Sequence, residues 1–221
     1  VDTHLHLTWH RECAKLFDFV FVAQKDFTAQ FTDGPIGNHI TWLPLYCNPR
    51  RDRKLGLQKT HEVCFVGSLN KDRNPGRVRL IEALSGRVPL HVARGGYTEV
   101  FNRSKIVFNQ SANGDVNFRT FEAMGCGSFL LTEKVENGLS DLFTDGTHLA
   151  LYARDDIGRL VATIRYYLDH DAERERIADR GMQEVLEKHT SGRRVTTMCD
   201  LFERCDPVKT VGARKANLHR I

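Results

Sequence analysis

No Cys-x-x-Cys pair occurs in this sequence, so its cysteines at 13, 47, 64, 126, 199 and 205 offer neither a zinc-ribbon nor a thioredoxin-like site. Long apolar runs are also missing. Nothing approaches the roughly 18 residues of a membrane span, so no transmembrane segment is expected. The opening Val1-Asp2-Thr3-His4 has no basic start and no apolar signal core, so reduced thiols and a cytoplasmic location are expected. It does not begin with Met, and upstream sequence is expected to precede it. Both the Gly-x-Gly-x-x-Gly fingerprint and the Walker loop are absent, which removes two common nucleotide motifs. Charge is not concentrated either. The net +4 comes from 32 Lys and Arg against 28 Asp and Glu, scattered without a basic stripe, so nucleic acid is not an expected partner. The local excess Lys209, Arg214, Lys215 and Arg220 reads as a solvated tail.

What is present is an alternation of short apolar runs and helical patterns, the mark of a parallel sheet covered by helices. Strands are predicted over 19–23, 41–45, 63–67, 89–92, 105–109, 128–132 and 148–152. Helices are predicted over 10–17, 26–33, 77–85, 98–103, 117–125 and 138–143, and the last third is wholly helical over 155–169, 172–188 and 193–204. The stretch 46–61, with Pro49 followed by Arg50, Arg51, Asp52, Arg53 and Lys54, reads as a linker. The expected division is therefore 1–50, part of one domain; 51–205, a doubly wound domain; and 206–221, a basic tail. Cys64 lies in the apolar run Val63-Cys64-Phe65-Val66 and is expected to be a buried, inert thiol.

The segment richest in chemistry runs from Lys105 to Thr132: a strand, a polar loop, a helix expected to be capped by Asp115, and a Gly-rich turn into another strand. Loops at the carboxyl ends of parallel strands are where doubly wound folds bind ligands. A helix N-terminus there offers free N–H groups and partial positive charge to a diphosphate. Phe118 and Phe121 are three apart and are expected to share the buried face. Arg119 and Glu122 have the same spacing: an Arg suits a diphosphate and a Glu suits two ribose hydroxyls, while a surface i,i+3 salt bridge uses the same pair. Gly125 and Gly127 either admit a ligand to the backbone or end the helix. A second loop, Gly67-Ser68-Leu69-Asn70-Lys71-Asp72-Arg73-Asn74, follows another strand and carries two cations suited to phosphate.

Several pieces together resemble one family. They are Phe65-Val-Gly67-Ser68, Asn117-x-Arg119-x-Phe121-Glu122-Ala123-x-Gly125-x-Gly127, Asp141-Leu-Phe143-x-Asp145-Gly146, and His189-Thr190 with Arg193. The pattern is similar to the C-terminal domain of GT-B glycosyltransferases, particularly the CgeB-like group of family-1-type transferases. Asp18-Phe-Val-Phe-Val-Ala-Gln24 and Trp42-Leu-Pro-Leu45 resemble the end of that family's first domain. The resemblance implies an α/β, GT-B type fold: a doubly wound, Rossmann-like parallel sheet with a helical C-terminal third, plus a partial N-terminal Rossmann-like domain. It implies a hexosyltransferase-like enzyme, retaining and metal-independent, that needs no cofactor. Its partners are a UDP-, GDP- or ADP-sugar donor and an unknown acceptor. The implied donor set is Glu122 on the ribose, Arg119 and the 125–127 turn by the diphosphate, Gly67 and Ser68 bordering the cleft, with Arg73 and Asn117. One departure stands out: where many relatives carry a further glutamate eight positions before the one matching Glu122, this sequence has Gly114, with Asp115 beside it.

The opening Asp2-Thr-His4-Leu-His6 supports other readings. On a strand, His-x-His points both imidazoles to one face, as metal ligation needs, and it resembles the first-strand motif of amidohydrolase-like metal hydrolases. Such a barrel needs about 250 residues and further ordered ligands. Under the transferase reading His4 and His6 are candidate catalytic acid/base groups, and the alternative is that they pack or cap a helix. A further alternative is a truncated module that binds nucleotide without catalysis.

Overall fold

The computed structural model describes residues 6–31 and 39–205. It divides the chain into two compact units, one formed by Tyr46–Ser191 and the other by the described residues of Val1–Leu45 and Gly192–Ile221.

The larger unit is built on a five-stranded, all-parallel sheet. Its strands are β3 (His61–Val66), β4 (Leu90–Ala93), β5 (Ser104–Asn109), β6 (Phe129–Glu133) and β7 (Ala150–Tyr152), in the spatial order β4-β3-β5-β6-β7. Parallel neighbours require crossovers, and helices supply them: α2 (Pro75–Ser85), α3 (Tyr97–Asn102), α4 (Phe118–Gly125) and α5 (Leu139–Leu142). After β7 come α6 (Ile157–Asp169) and α7 (Asp171–Lys188). Alternation along the strands gives one sheet face Val63, Phe65, Ile106, Phe108, Phe129 and Leu131, which share a core with Ile81, Leu84, Leu160 and Ile164. On the opposite face Cys64, Val107 and Leu130 are equally buried, as are Phe101, Phe121 and Met124 of α3 and α4. Both faces being covered explains why these strands read as continuous apolar runs rather than alternating ones. Burial pushes the Cys64 thiol up to about 12, which leaves it a small hydrophobe.

In the smaller unit β1 (Phe19–Val22) pairs in parallel with β2 (His39–Trp42), joined through a 3-10 helix over Lys25–Phe31. Helix α1 (Leu7–Ala14) precedes them, and α8 (Ser191–Glu203) closes the described chain. The expected boundary at residue 50 lies at 45/46, and α8 groups with the first segment rather than with the sheet of the larger unit. Arg194 accounts for this: its guanidinium donates to Pro44 O at 2.7 Å and Leu45 O at 3.0 Å. Phe202 packs edge-on against Phe19 at 4.7 Å.

The stretch 46–61 is no free linker. Asp52 within it is fully buried, accepting from Asn48 N at 2.7 Å and Tyr97 Oη at 2.7 Å, and Cys47 bridges to Thr190. The stretch reads as a linker in sequence because sequence cannot show which of its charges is satisfied from afar. No helix among the described residues is long and apolar enough to cross a membrane. The basic tail at 206–221 lies outside the described residues.

Candidate functional site

The chain leaves β3 for β4 on one side of the sheet and returns to β5 on the other, so the strand order reverses between β3 and β5. Such a reversal splays the two following loops apart and opens a crevice at the carboxyl ends of the strands. A cleft of about 320 Å³ lies there, lined by the end of β3 with Gly67 and Ser68, by Asn109 and Gln110 ending β5, by Arg77, and by Asn117, Phe118, Arg119 and Glu122. Five of the expected donor residues, Gly67, Ser68, Asn117, Arg119 and Glu122, are therefore brought together. Gly67 is required where it stands, because a Cβ would come within 2.8 Å of the Phe65 ring.

Glu122 is the focus of the charges. Only 7% exposed, it is paired with Arg119 (Nη1 to Oε2, 2.8 Å) and approached by Arg51 (Nη2 to Oε1, 3.4 Å). The Arg119 guanidinium lies over the rings of Tyr97 at 5.3 Å and Phe101 at 5.4 Å, and Arg51 covers Tyr97 at 5.2 Å. Burial raises the Glu122 carboxyl above its ordinary value; Arg119 opposes that, buried Asp52 adds to it, and Tyr97 and Arg51 oppose it. The i,i+3 salt bridge thus exists, but inside the cleft rather than on a solvated face. Arg119 holds Glu122 in place.

The floor is polar and internally satisfied. Asn109 and Asn117 exchange amide hydrogen bonds at 3.3 and 3.4 Å, and Asn109 also donates to Thr132 Oγ1 at 3.0 Å. Arg77, in the first turn of α2, is fixed by Gln110, donating from Nε to Oε1 at 2.8 Å and from Nη2 to the backbone O at 3.0 Å. Its aromatic neighbour is Phe65, whose ring centroid is 5.7 Å away.

Other expectations are corrected. Asn117, not Asp115, is the N-cap of α4; Asp115 is held instead by Ser111, whose Oγ lies 2.6 Å from Asp115 Oδ1 and 2.7 Å from Asp115 N. Phe118 does not share the buried face with Phe121: it is 42% exposed and meets Tyr46 edge-on at 5.5 Å. Its place one residue past the cap turns it outward. Gly125 and Gly127 do not line the cleft. A Cβ on Gly125 would meet Asp52 Cβ, Asp52 O and Cys47 Cβ, each at 3.2 Å, and Gly127 forms the turn after the helix with φ +69°. Close packing against Cys47 and Asp52 favours glycine at 125, and the positive φ favours it at 127. Arg73 lines a separate hollow next to the cleft. His189 of the resemblance pattern is a packing residue, edge-on to Phe143 at 5.1 Å and Phe121 at 5.8 Å.

His4 and Asp2 lie outside the described residues. His6 is exposed and forms the N-cap of α1, so the strand that a His-x-His metal site requires is not found at this position. It belongs to the smaller unit. No group of three or more His, Cys, Asp or Glu suited to a metal occurs among the described residues.

Sequence reading missed Arg77, Arg51, Asp52, Asn109 and Gln110. Arg77 carried a usable signal, since it sits in the first turn of a helix that follows a strand. Arg51 and Asp52 carried none, because their partners are 71 and 45 residues away.

Comparison with known proteins extends this geometry. HepE of Anabaena, solved with UDP-glucose, matches with a TM-score of 0.73 at 12% identity over 92% of this chain and 68% of its own. Sucrose-phosphate synthase from Thermosynechococcus elongatus matches with a TM-score of 0.70 at 14% identity, over 92% of this chain. TarM of S. aureus gives 0.69 at 10% identity over 89% of this chain. This chain spans 63% of the length of the synthase and 46% of that of TarM. No curated protein matches by sequence. The doubly wound sheet with its helical C-terminal third has the GT-B fold of these structures. The profile of the glycosyl transferase-like family matches residues 64–200, which take in the cleft from Phe65 to Glu122, and the chain belongs to that family.

Proposed function

We propose that this protein transfers a sugar from a nucleotide-sugar donor bound in the β3/β5 cleft. The observation that carries the reading is the convergence of Ser68, Arg77, Asn117, Arg119 and Glu122 on one cleft at the point where strand order reverses. Glu122, oriented by Arg119, accepts hydrogen bonds from the two ribose hydroxyls. The diphosphate lies between Gly67-Ser68 and the first turn of α4, where backbone N–H groups and Arg77 meet it. As the sugar leaves, negative charge grows on the diphosphate, and these fixed positive groups stabilise it. They supply the charge that a metal ion would otherwise bring, so the reaction runs without a metal. HepE has been solved with UDP and with UDP-glucose, which favours UDP as the nucleotide here. Retention of anomeric configuration, the expectation from family resemblance, is part of this reading. The acceptor is left unassigned.

Calorimetric titration with UDP, GDP and ADP, each with and without EDTA, tests the reading on wild type and Glu122→Ala. Binding of one nucleotide is expected, insensitive to EDTA and weakened about 10- to 100-fold by the substitution, the range of a hydrogen-bonded charge. Failure of a folded sample to bind any of the three refutes it. A protein that binds but shows no donor turnover is the non-catalytic module.

A further inference from the structure

Beside the donor cleft, and sharing Arg77 and Gln110 with it, lies a second hollow of about 390 Å³. Four arginines line it: Arg73, Arg77 and Arg79 from the loop and first turns of α2, and Arg154 after β7. Every other lining residue is uncharged. Two of the arginines are locked. Arg154 is paired with buried Glu133 (Nε to Oε1, 2.6 Å) and donates to Ser111 O at 2.8 Å, while Arg77 is held by Gln110. Arg73 and Arg79 are exposed and make no ion pair among the described residues. The nearby loop supplies no carboxylate to the hollow, for position 114 is glycine and Asp115 is bound to Ser111.

Arg154 is neutralised by Glu133, but Arg73, Arg77 and Arg79 have no carboxylate partner among the described residues, so an anion entering the hollow meets positive charge that nothing else offsets. The hollow is also within the roughly 300–1,000 Å³ range of small-molecule sites. A nucleotide sugar is linear in its parts. With ribose at Glu122 and diphosphate near Arg77, the sugar falls on the far side of Arg77, at the hollow. We infer that the hollow is the sugar subsite of an acidic donor, a nucleoside-diphosphate hexuronate whose carboxylate is received by Arg79 and Arg73, with Arg154 behind them. This rests on the donor assignment made above.

The test compares UDP-glucuronate with UDP-glucose, and UDP alone, by calorimetry on wild type and Arg79→Glu. Arg79 is exposed and outside the cleft, so its reversal leaves the fold intact. The hexuronate is expected to bind wild type about tenfold or more tightly than the neutral sugar. Arg79→Glu abolishes that preference and leaves UDP binding unchanged. Glucuronate 1-phosphate against glucose 1-phosphate makes the same comparison whatever the base. Equal affinities of the acid and neutral sugars in both pairs overturn this inference and leave the donor assignment standing. Loss of UDP binding in Arg79→Glu also overturns it, by placing the diphosphate in the hollow. If no nucleotide binds, the donor assignment falls and takes this inference with it.

Discussion

At its N-terminal end α4 turns Asn117, Arg119 and Glu122 into a cleft; three residues past Glu122, Gly125 sits so close to Cys47 and Asp52 that a Cβ would lie 3.2 Å from each. Both ends carried the residues that resemble a donor-binding family. Only the N-terminal end lines the cleft at the strand-order reversal. A run that looks like one functional motif is therefore two things in three dimensions: a polar first turn that forms the cleft wall, and a glycine turn that lets the helix approach the 47–54 segment closely. That closeness brings buried Asp52 up to Tyr97 and Arg51 up to Glu122, so the packing end sets the electrostatics of the polar end.

The comparison can be broken by exchanging the effects. Gly125→Val should cost about 1–3 kcal/mol of stability, because overpacking here displaces backbone as well as side chains. Urea denaturation reads it, and the folded fraction should still bind nucleotide. A Gly125→Val protein of unchanged midpoint would deny the packing role. Glu122→Ala is expected to do the opposite, losing roughly 2 kcal/mol of nucleotide affinity while the protein stays folded.

A finer test is the pH dependence of stability. Burial raises the Glu122 carboxyl in the folded protein, so the folded state holds that proton more tightly than the unfolded chain does. Its contribution is fully present below the ordinary carboxylate range and is lost as pH rises through the raised value. Wild type should thus lose stability relative to Glu122→Gln as pH rises above the ordinary carboxylate range. Parallel melting-temperature curves for the two proteins would mean that Arg119 and Arg51 outweigh burial. The smallest effect is expected at Phe118→Ala. This exposed ring touches Tyr46 alone among aromatic neighbours in the described residues, and the change should lie within about 0.5 kcal/mol.

The central strands of the sheet were legible because they are buried on both faces. Val63-Cys64-Phe65-Val66 and Ile106-Val-Phe108 have no polar alternation to confuse with anything else, and each is followed by a helix at the expected distance. Glu122 and Arg119 were legible for another reason, a fixed spacing on one helix that a family pattern repeats. Phe118 was misread because i,i+3 spacing sets which residues are neighbours on a helix but not where the helix begins. The N-cap at Asn117 decided that.

What the sequence determined by itself is therefore local: apolar periodicity, helix-forming stretches, a loop after each strand, and the residue types available at those loops. Tertiary structure alone decided which charges distant in sequence meet. Arg51 reaches Glu122 across 71 residues, Tyr97 reaches Asp52 across 45, and Arg154 joins Arg73, Arg77 and Arg79 around one hollow from the opposite end of the sheet order. Contacts of that separation depend on strand order and crossover, which no one-dimensional pattern of these residues encodes. Coulomb interactions act through space, so the chemistry of the site was fixed only when the sheet was wound.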